Sequence, residues 1–392
     1  MKKNIAVVFG GRSVEHEVSV ITGMQVMENI DKSRYNVVPV FIAKDGKWYT
    51  GDELLDFENF KKKKFNELRE VIVSATYNEK KLFGHPNQKS GFFSKKFEQD
   101  IDAVFIALHG TNGEDGTIQG VFEMMNVPYV SAGVLGSSVG MDKILMKDVY
   151  KACGLPIVKY TWFFRSAWET QSNAVITKVE NEIGYPVFVK PSNLGSSVGI
   201  SKARNKDELT EAIDIAMRYD RKIIVEQALE GPREINCAVI GYNNNVKASL
   251  CEEPVGWKEL LTYEDKYVHS NAKGVKGGGR NIPADLPEGK TEEIQDLAKE
   301  AFMAIDCKGN ARIDFLMDKE DNKVYINEIN TQPGSIAYYL WEPLGINFTQ
   351  LIDELLDIAY AVHEEKNENM YSYDVDLFDK VNLGKSSKVG KM

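Results

Sequence analysis

The sequence predicts an α/β protein. Three observations carry that prediction. An apolar run at Ile5–Phe9 ends in Gly10-Gly11 and leads into a helical pattern, short strand-like runs alternate with helical ones further along, and a Gly/Ser loop at 193–199 directly follows a strand. In the first unit Ile5–Phe9 reads as a strand, and Val18, Ile21, Met24, Val26 and Met27 fall on or near one helix face. Val37–Ile42 and Ala103–Leu108 supply further strands of what should be an open parallel sheet. Residues 44–100 interrupt this unit as an insertion, and the run Lys61–Lys64 within it reads as a solvated helix face rather than an anion site.

The second unit starts near Met141. It holds a strand at Pro186–Lys190, the Gly/Ser loop, a helix carrying Leu209, Ile213, Ala216 and Met217, and an exit strand at Lys222–Glu226. The third has strands at Ile235–Ile240, Arg312–Met317 and Val324–Glu328, and a helix over 291–306. That helix sets Ile294, Leu297, Ala298, Ala301, Phe302 and Ile305 at i, i+3, i+4, i+7, i+8 and i+11, a core-facing stripe with no chemistry assigned to it. The expected division is therefore 1–140, 141–226 and 227–392, with the last stretch of chain fraying.

Composition bounds the function. At roughly 150 residues per domain, 392 residues suggest two or three domains. No run approaches the ~18 apolar residues of a membrane span, and the apolar stretch after Lys2-Lys3 is shorter than the ~7–15 residues a signal peptide needs. A net charge of -10 argues against general nucleic-acid binding, which depends on clustered Lys and Arg. Cys153, Cys237, Cys251 and Cys307 form no CxxC pair and read as buried thiols in a reducing compartment, so the cytoplasm is the expected setting. The five histidines are too scattered to suggest a metal site.

The chemistry concentrates in a few segments. In Lys190-Pro-Ser-Asn-Leu-Gly195-Ser196-Ser197-Val-Gly199 a lysine ends a strand and small residues with free N–H groups follow, a combination that can fold over polyphosphate. Lys143 offers a second cation. Alternation places Arg312 and Asp314 on one face of a strand, and Glu328 and Asn330 on one face of the next. Two carboxylates and an amide oxygen then meet, which suits Mg²⁺ shared with nucleotide phosphates, and Arg312 is placed to stabilise an oxyanion. Pro333-Gly334 follows as a turn. His109–Gly116 sits where α/β ligand loops lie, and Glu15 falls at the start of a helix after Gly10-Gly11.

Together these motifs resemble the ATP-grasp superfamily, and within it the D-alanine–D-alanine ligase family. The matching segments are FGGRSVEHEVSV (9–20), ALHGTNGEDGTIQG (107–120), MDK (141–143), YPVFVKPSNLGSSVGISK (185–202), EQALEGPREINCAVIG (226–241), YEDKY (263–267), ARIDF (311–315) and NEINTQPG (327–334). The resemblance implies a two-domain ATP-grasp fold after the N-terminal α/β domain. It implies ATP and D-alanine as substrates, two Mg²⁺ ions (Mn²⁺ replacing them), a homodimer, and no membrane or nucleic-acid partner. By the same resemblance Lys143, Lys190, Ser196, Ser197 and Lys266 hold nucleotide phosphates, Glu226, Gln227, Ala228 and Leu229 contact adenine, and Glu234 takes the ribose. Asp314, Glu328 and Asn330 ligate metal, while Arg312 and the Gly334 N–H stabilise the tetrahedral oxyanion. Glu15 binds the first ammonium and, with Ser196 and Tyr267, locks a lid over about 255–285.

The chain departs from that family pattern. The span from Glu226 to Glu234 is one residue longer, and the 44–100 insertion is long. After Gly334 only Ser335–Tyr339 precede Leu340-Trp341-Glu342, where the family has a longer stretch with a serine for the second substrate's carboxylate. Ser335 or Tyr339 is the replacement the sequence offers. This shortening keeps open a ligase with a different acceptor. A non-catalytic ATP-binding protein is disfavoured because it has little need for Arg312, Asp314, Glu328 and Asn330, and Phe9-Gly10-Gly11 lacks the third glycine of a dinucleotide site.

Overall fold

The computed structural model describes residues 2–63, 65, 67–86, 96–195, 198–255 and 279–372. The first sheet has eight strands in the order β6-β5-β4-β3-β2-β1-β7-β8. Its parallel part is β1 (Lys3–Gly10), β2 (Tyr35–Ile42), β7 (Ala103–Ile106) and β8 (Tyr129–Val130). Ile5 to Phe9 are all buried, as expected for a parallel strand covered on both faces. Helix α1 (His16–Asn29) lies on one face. The 44–100 insertion extends the sheet with antiparallel β3 (Trp48–Thr50), β4 (Arg69–Val73), β5 (Lys81–Gly84) and β6 (Glu98–Asp100). Within it α2 (Phe57–Lys62) exposes Lys61 and Lys62, which pair with Glu58 on the same helix, a solvated face. Helix α3 (Thr117–Met125) covers the sheet's other face.

Two short helices, α4 (Gly133–Met141) and α5 (Lys143–Ala152), lead to a four-stranded antiparallel sheet ordered β11-β10-β12-β9. It is built of β9 (Tyr160–Phe164), β10 (Val187–Pro191), β11 (Ser201–Ala203) and β12 (Lys222–Gln227), with α6 (Arg165–Glu182) and α7 (Lys206–Ala216) packed on one side. The third sheet, ordered β15-β14-β13-β16-β17, is antiparallel throughout. Its strands are β13 (Arg233–Tyr242), β14 (Asn245–Val255), β15 (Gly279–Asn281), β16 (Gly309–Met317) and β17 (Val324–Asn330). Helix α8 (Lys290–Ala304) buries Ile294, Ala298, Ala301 and Phe302 against it, the stripe predicted from periodicity. The final helix α9 (Phe348–Asn367) returns to the first sheet, where Leu351, Ile352, Leu355 and Leu356 share a core with Ile5, Val7 and Phe9. No helix among the described residues is long and apolar enough to cross a membrane. Cys237, Cys251 and Cys307 are buried as expected, but Cys153, which follows the end of α5, is exposed, contrary to the reading of all four as buried.

Candidate functional site

The floor of the site is β16 paired with β17. Ile313, Phe315 and Met317 point into the core, so alternation turns Arg312 and Asp314 to the opposite face. The register sets Arg312 across from Asn330 and Asp314 across from Glu328, so the four residues form one patch. Arg312 donates from Nε and Nη2 to the two Asp314 oxygens at 2.7 and 2.8 Å, and Asn330 Nδ2 donates to Asp314 Oδ2 at 2.9 Å. Burial works to lower the Arg312 guanidinium's pKa, but Asp314 overrides it and holds the arginine firmly charged. A divalent ion at this patch would find two carboxylates and one amide oxygen, hard donors that leave room for phosphate oxygens to complete a Mg²⁺ shell. Among the described residues no group of three or more His, Cys, Asp and Glu converges, here or elsewhere, so a metal at this patch would rest on two carboxylates and an amide.

Lysines from two other elements border this patch. Lys143 opens α5 and sits 3.5 Å from Glu328 Oε2, while its Nζ donates to the Leu194 carbonyl at 2.9 Å. That bond ties the Gly/Ser loop to the helix start. Asp142 caps α5, accepting from the Ile144 and Leu145 N–H groups and pairing with Lys222 and Ser192. On β10, Lys190 Nζ donates to Glu226 Oε2 at 2.6 Å and to Asn327 Oδ1 at 3.4 Å. Lys147, fully buried one turn after Lys143, lies 3.3 Å from Glu226 Oε1.

Two ammonium groups thus share one carboxylate. Burial pushes the Glu226 carboxyl up, but Lys147 and Lys190 outweigh it and hold it below the usual carboxylate range. For Lys147 burial wins and its pKa falls, whereas Lys190, facing Glu226 and Glu328 together, is raised despite burial. The cluster carries a surplus positive charge beside the loop read as a phosphate cradle.

Of the segment assigned to adenine, Glu226 directs its carboxylate to these lysines. The Gln227 and Ala228 N–H groups are bonded to the carbonyls of Lys159 and Pro186, and Leu229 is half-buried beside them. Glu234 is exposed on β13, within electrostatic reach of Lys190. Ser196, Ser197, Lys266 and Tyr267, with most of the lid, lie outside the described residues.

Glu15 precedes α1 and is buried. A side chain at Gly195 would lie 3.5 Å from both of its carboxylate oxygens, so the cradle loop abuts it. Gly110 must be glycine: its φ is +71° and a Cβ there would stand 2.7 Å from Glu15 Oε2. His109 bridges Glu114 (3.3 Å) and Thr22 (2.9 Å), and the Ser335 N–H donates to Thr22 Oγ1 at 3.3 Å. Burial foremost, with the Glu15 charge assisting, pushes the Glu114 carboxyl up.

A cavity of about 390 Å³ joins Glu15, Arg312, Glu328, Asn330, Gly334, Ser335 and Tyr339, residues predicted for the site from far-apart segments. It also contains Arg280, which falls in the span read as a lid but was given no role there, and Glu252, which neighbours no recognisable motif. Lys147 was missed too, although its spacing of four from Lys143 on a helix was a readable signal. A larger cavity of about 630 Å³ lies between β8 and α9, apart from all the predicted site residues.

Two family models match this chain: residues 4–132 fit the D-ala D-ala ligase N-terminus and residues 149–357 the D-ala D-ala ligase C-terminus. Among curated proteins it is 44% identical to the D-alanine–D-alanine ligase of Acetivibrio thermocellus, across 95% of this chain and 99% of that one. The corresponding protein of Thermosipho africanus is 41% identical over 96% of this chain and 98% of its own length. Solved structures are similar to it as well, among them two ligases. The D-alanine–D-alanine ligase from Coxiella burnetii aligns at a TM-score of 0.76 and 32% identity, covering 94% of this chain and 96% of that one. The VanG D-Ala:D-Ser ligase from Enterococcus faecalis aligns at 0.77 and 29%, covering 92% and 100%.

Proposed function

The chain belongs to the D-alanine–D-alanine ligase family, and from that premise we propose that it joins two D-alanines with ATP, giving D-alanyl-D-alanine, ADP and phosphate for peptidoglycan synthesis. The observation that supports this reading best is the single cavity that gathers Glu15, Arg312, Glu328, Asn330 and Gly334 beside the Lys143 and Lys190 cations.

Glu15 holds the ammonium of the first D-alanine. A carboxylate oxygen of that substrate attacks the γ-phosphorus of ATP, the bond to the β-phosphate oxygen breaks, and ADP leaves. Lys143, Lys190 and Lys266 balance the phosphate charge, with Ser196 and Ser197 of the loop offering further donors. The amine of the second D-alanine then attacks the acyl carbon, and Arg312 with the Gly334 N–H stabilises the oxyanion. Phosphate departs as the C–O bond breaks, and the nitrogen sheds its extra proton.

Asp314, Glu328 and Asn330 would hold two Mg²⁺ ions (or Mn²⁺), which when bound neutralise phosphate charge. Adenine lies along Glu226–Leu229 and the ribose at Glu234. The lid over about 255–285, locked through Glu15, Ser196 and Tyr267, excludes water from an acyl phosphate that hydrolysis would waste. Ser335 and Tyr339 border the acceptor's place, and tyrosine at 267 favours D-alanine there. The protein works in the cytoplasm as a homodimer.

The short segment after Gly334 supports a second reading, a ligase of the same mechanism with another acceptor. The deciding experiment is phosphate release with ATP, Mg²⁺ and D-alanine, with the product identified by mass spectrometry. Phosphate accompanied by D-alanyl-D-alanine is expected. Phosphate without dipeptide would transfer the conclusion to the second reading, and ATP binding without release would overturn both.

A further inference from the structure

The short segment after Gly334 leaves the acceptor's carboxylate without the serine that the family pattern supplies, and the far side of the same cavity holds an unassigned cation. Arg280, on β15, lines the cavity with Tyr339, Arg312 and Gly334. Its guanidinium lies over the Tyr339 ring with 4.2 Å between the guanidinium carbon and the ring centroid. Its Nε is 3.2 Å from Glu252 Oε1. Glu252 is itself buried and is held by Asn236 Nδ2 at 3.2 Å and by the Tyr339 hydroxyl at 3.3 Å, both to Oε2.

We propose that Arg280 anchors the carboxylate of the acceptor amino acid, with Glu252 and Tyr339 as its positioning residues. An arginine gripped through Nε and stacked on an aromatic face is fixed in plane, and that ion pair uses one of its five donors. The pair of Nη groups is the geometry that reads a carboxylate bidentately. Arg312 is unsuited to that duty because Asp314 already takes both of its facing donors. The short turn serves the arrangement by bringing Tyr339, five residues after Gly334, into the cavity beneath Arg280.

This inference rests on the reading of the chain as a D-alanine ligase, so its test separates the two half-reactions. The donor half is read by trapping D-alanyl phosphate with hydroxylamine as the hydroxamate. The acceptor half is read by mass spectrometry, with D-alanine competing against D-alaninamide, which has the amine but no carboxylate. In Arg280→Met the acceptor KM should rise about 10- to 100-fold, the scale of a lost charged hydrogen bond, and the preference for D-alanine over D-alaninamide should fall by the same factor. Hydroxamate formation should stay within a few-fold. Arg280→Lys, which keeps the charge and loses the planar fork, should fall between, and it carries the test if the methionine variant fails to fold. An unchanged preference in either folded variant, or hydroxamate loss in step with dipeptide loss, would overturn the proposal. A wild type that yields neither hydroxamate nor dipeptide would overturn the ligase reading and this inference with it.

Discussion

Lys147→Met tests whether the surplus charge of the buried lysine pair serves ATP. Lys147 and Lys190 contact opposite oxygens of Glu226 at 3.3 and 2.6 Å, and all three side chains are nine-tenths or more buried. Removing Lys147 takes the cluster from a net charge of +1 to neutral, yet Glu226 keeps Lys190 and no buried ion is orphaned. Stability should therefore change little, because the lost attraction is offset by relief of a fully buried ammonium. A phosphate placed on Lys190, on the far side of the carboxylate from Lys147, is taken to be on the order of 8 Å from the Lys147 ammonium. One unit charge at that distance and an effective dielectric of about 20–40 contributes about 1–2 kcal/mol, about 5- to 30-fold in affinity. The expected result is a KM for ATP raised by that factor with the KM for D-alanine unchanged, measured by coupled ADP release beside a thermal melt. An ATP KM within twofold of wild type in a protein that melts normally would refute the electrostatic reasoning. A collapse in melting temperature would show that Lys147 mainly holds the fold.

Other perturbations probe the remaining parts. Asp314→Asn and Glu328→Gln should each cut turnover at least about 100-fold and raise the Mg²⁺ concentration needed; near-normal turnover in both would sink the metal assignment. Tyr267→Phe should loosen the lid and admit D-lactate as acceptor, seen as a depsipeptide by mass spectrometry, and an unaltered acceptor profile would count against the lid role. Glu226 has a folded pKa below its ordinary 4.5 despite burial, because Lys147 and Lys190 stabilise its anion. Its contribution is complete above that ordinary value and is lost as pH falls through the folded one. In urea unfolding the stability gap between wild type and Glu226→Gln should hold at neutral pH and shrink on acidification; a gap that widens would reverse the sign of the argument.

The site was legible in the sequence where it depends on local periodicity. A period of two is enough to put Arg312 with Asp314 and Glu328 with Asn330, and the observed register joins the two pairs. The parallel strands Ile5–Phe9 and Val37–Ile42 stand out because burial on both faces demands unbroken apolar runs. Strands β3 to β6 did not, because segments of three to five residues at a half-exposed edge show too few alternations to read. Helix α9 repeats the i, i+3, i+4, i+7 pattern at Phe348, Leu351, Ile352 and Leu355, so its existence was readable. Its docking on β1 was not, since nothing in amphipathicity names the partner surface. The Arg280–Glu252–Tyr339 group fails for the same reason: no sequence spacing encodes a contact made through tertiary packing.

The turn that replaces the family's longer segment explains why its chemistry resisted transfer from the family pattern. Ser335, Ile336 and Ala337 take φ of 51°, 47° and 54°, three consecutive non-glycine residues in the left-handed region. Each such residue costs about 1–2 kcal/mol, so the turn survives only because its surroundings over-determine it. Ile336 and Ala337 are buried, Asn310 Nδ2 donates to the Ile336 carbonyl at 2.9 Å, and Thr22 receives the Ser335 N–H. Glycines would make the same turn without strain but would leave those apolar contacts unfilled. Strain held by residues from two distant segments, beside the cavity proposed to take the acceptor, fits the remodelled pocket of that proposal. The short turn sets Tyr339 under the Arg280 guanidinium, so on the proposed reading the missing serine and its replacement by Arg280 are one structural event.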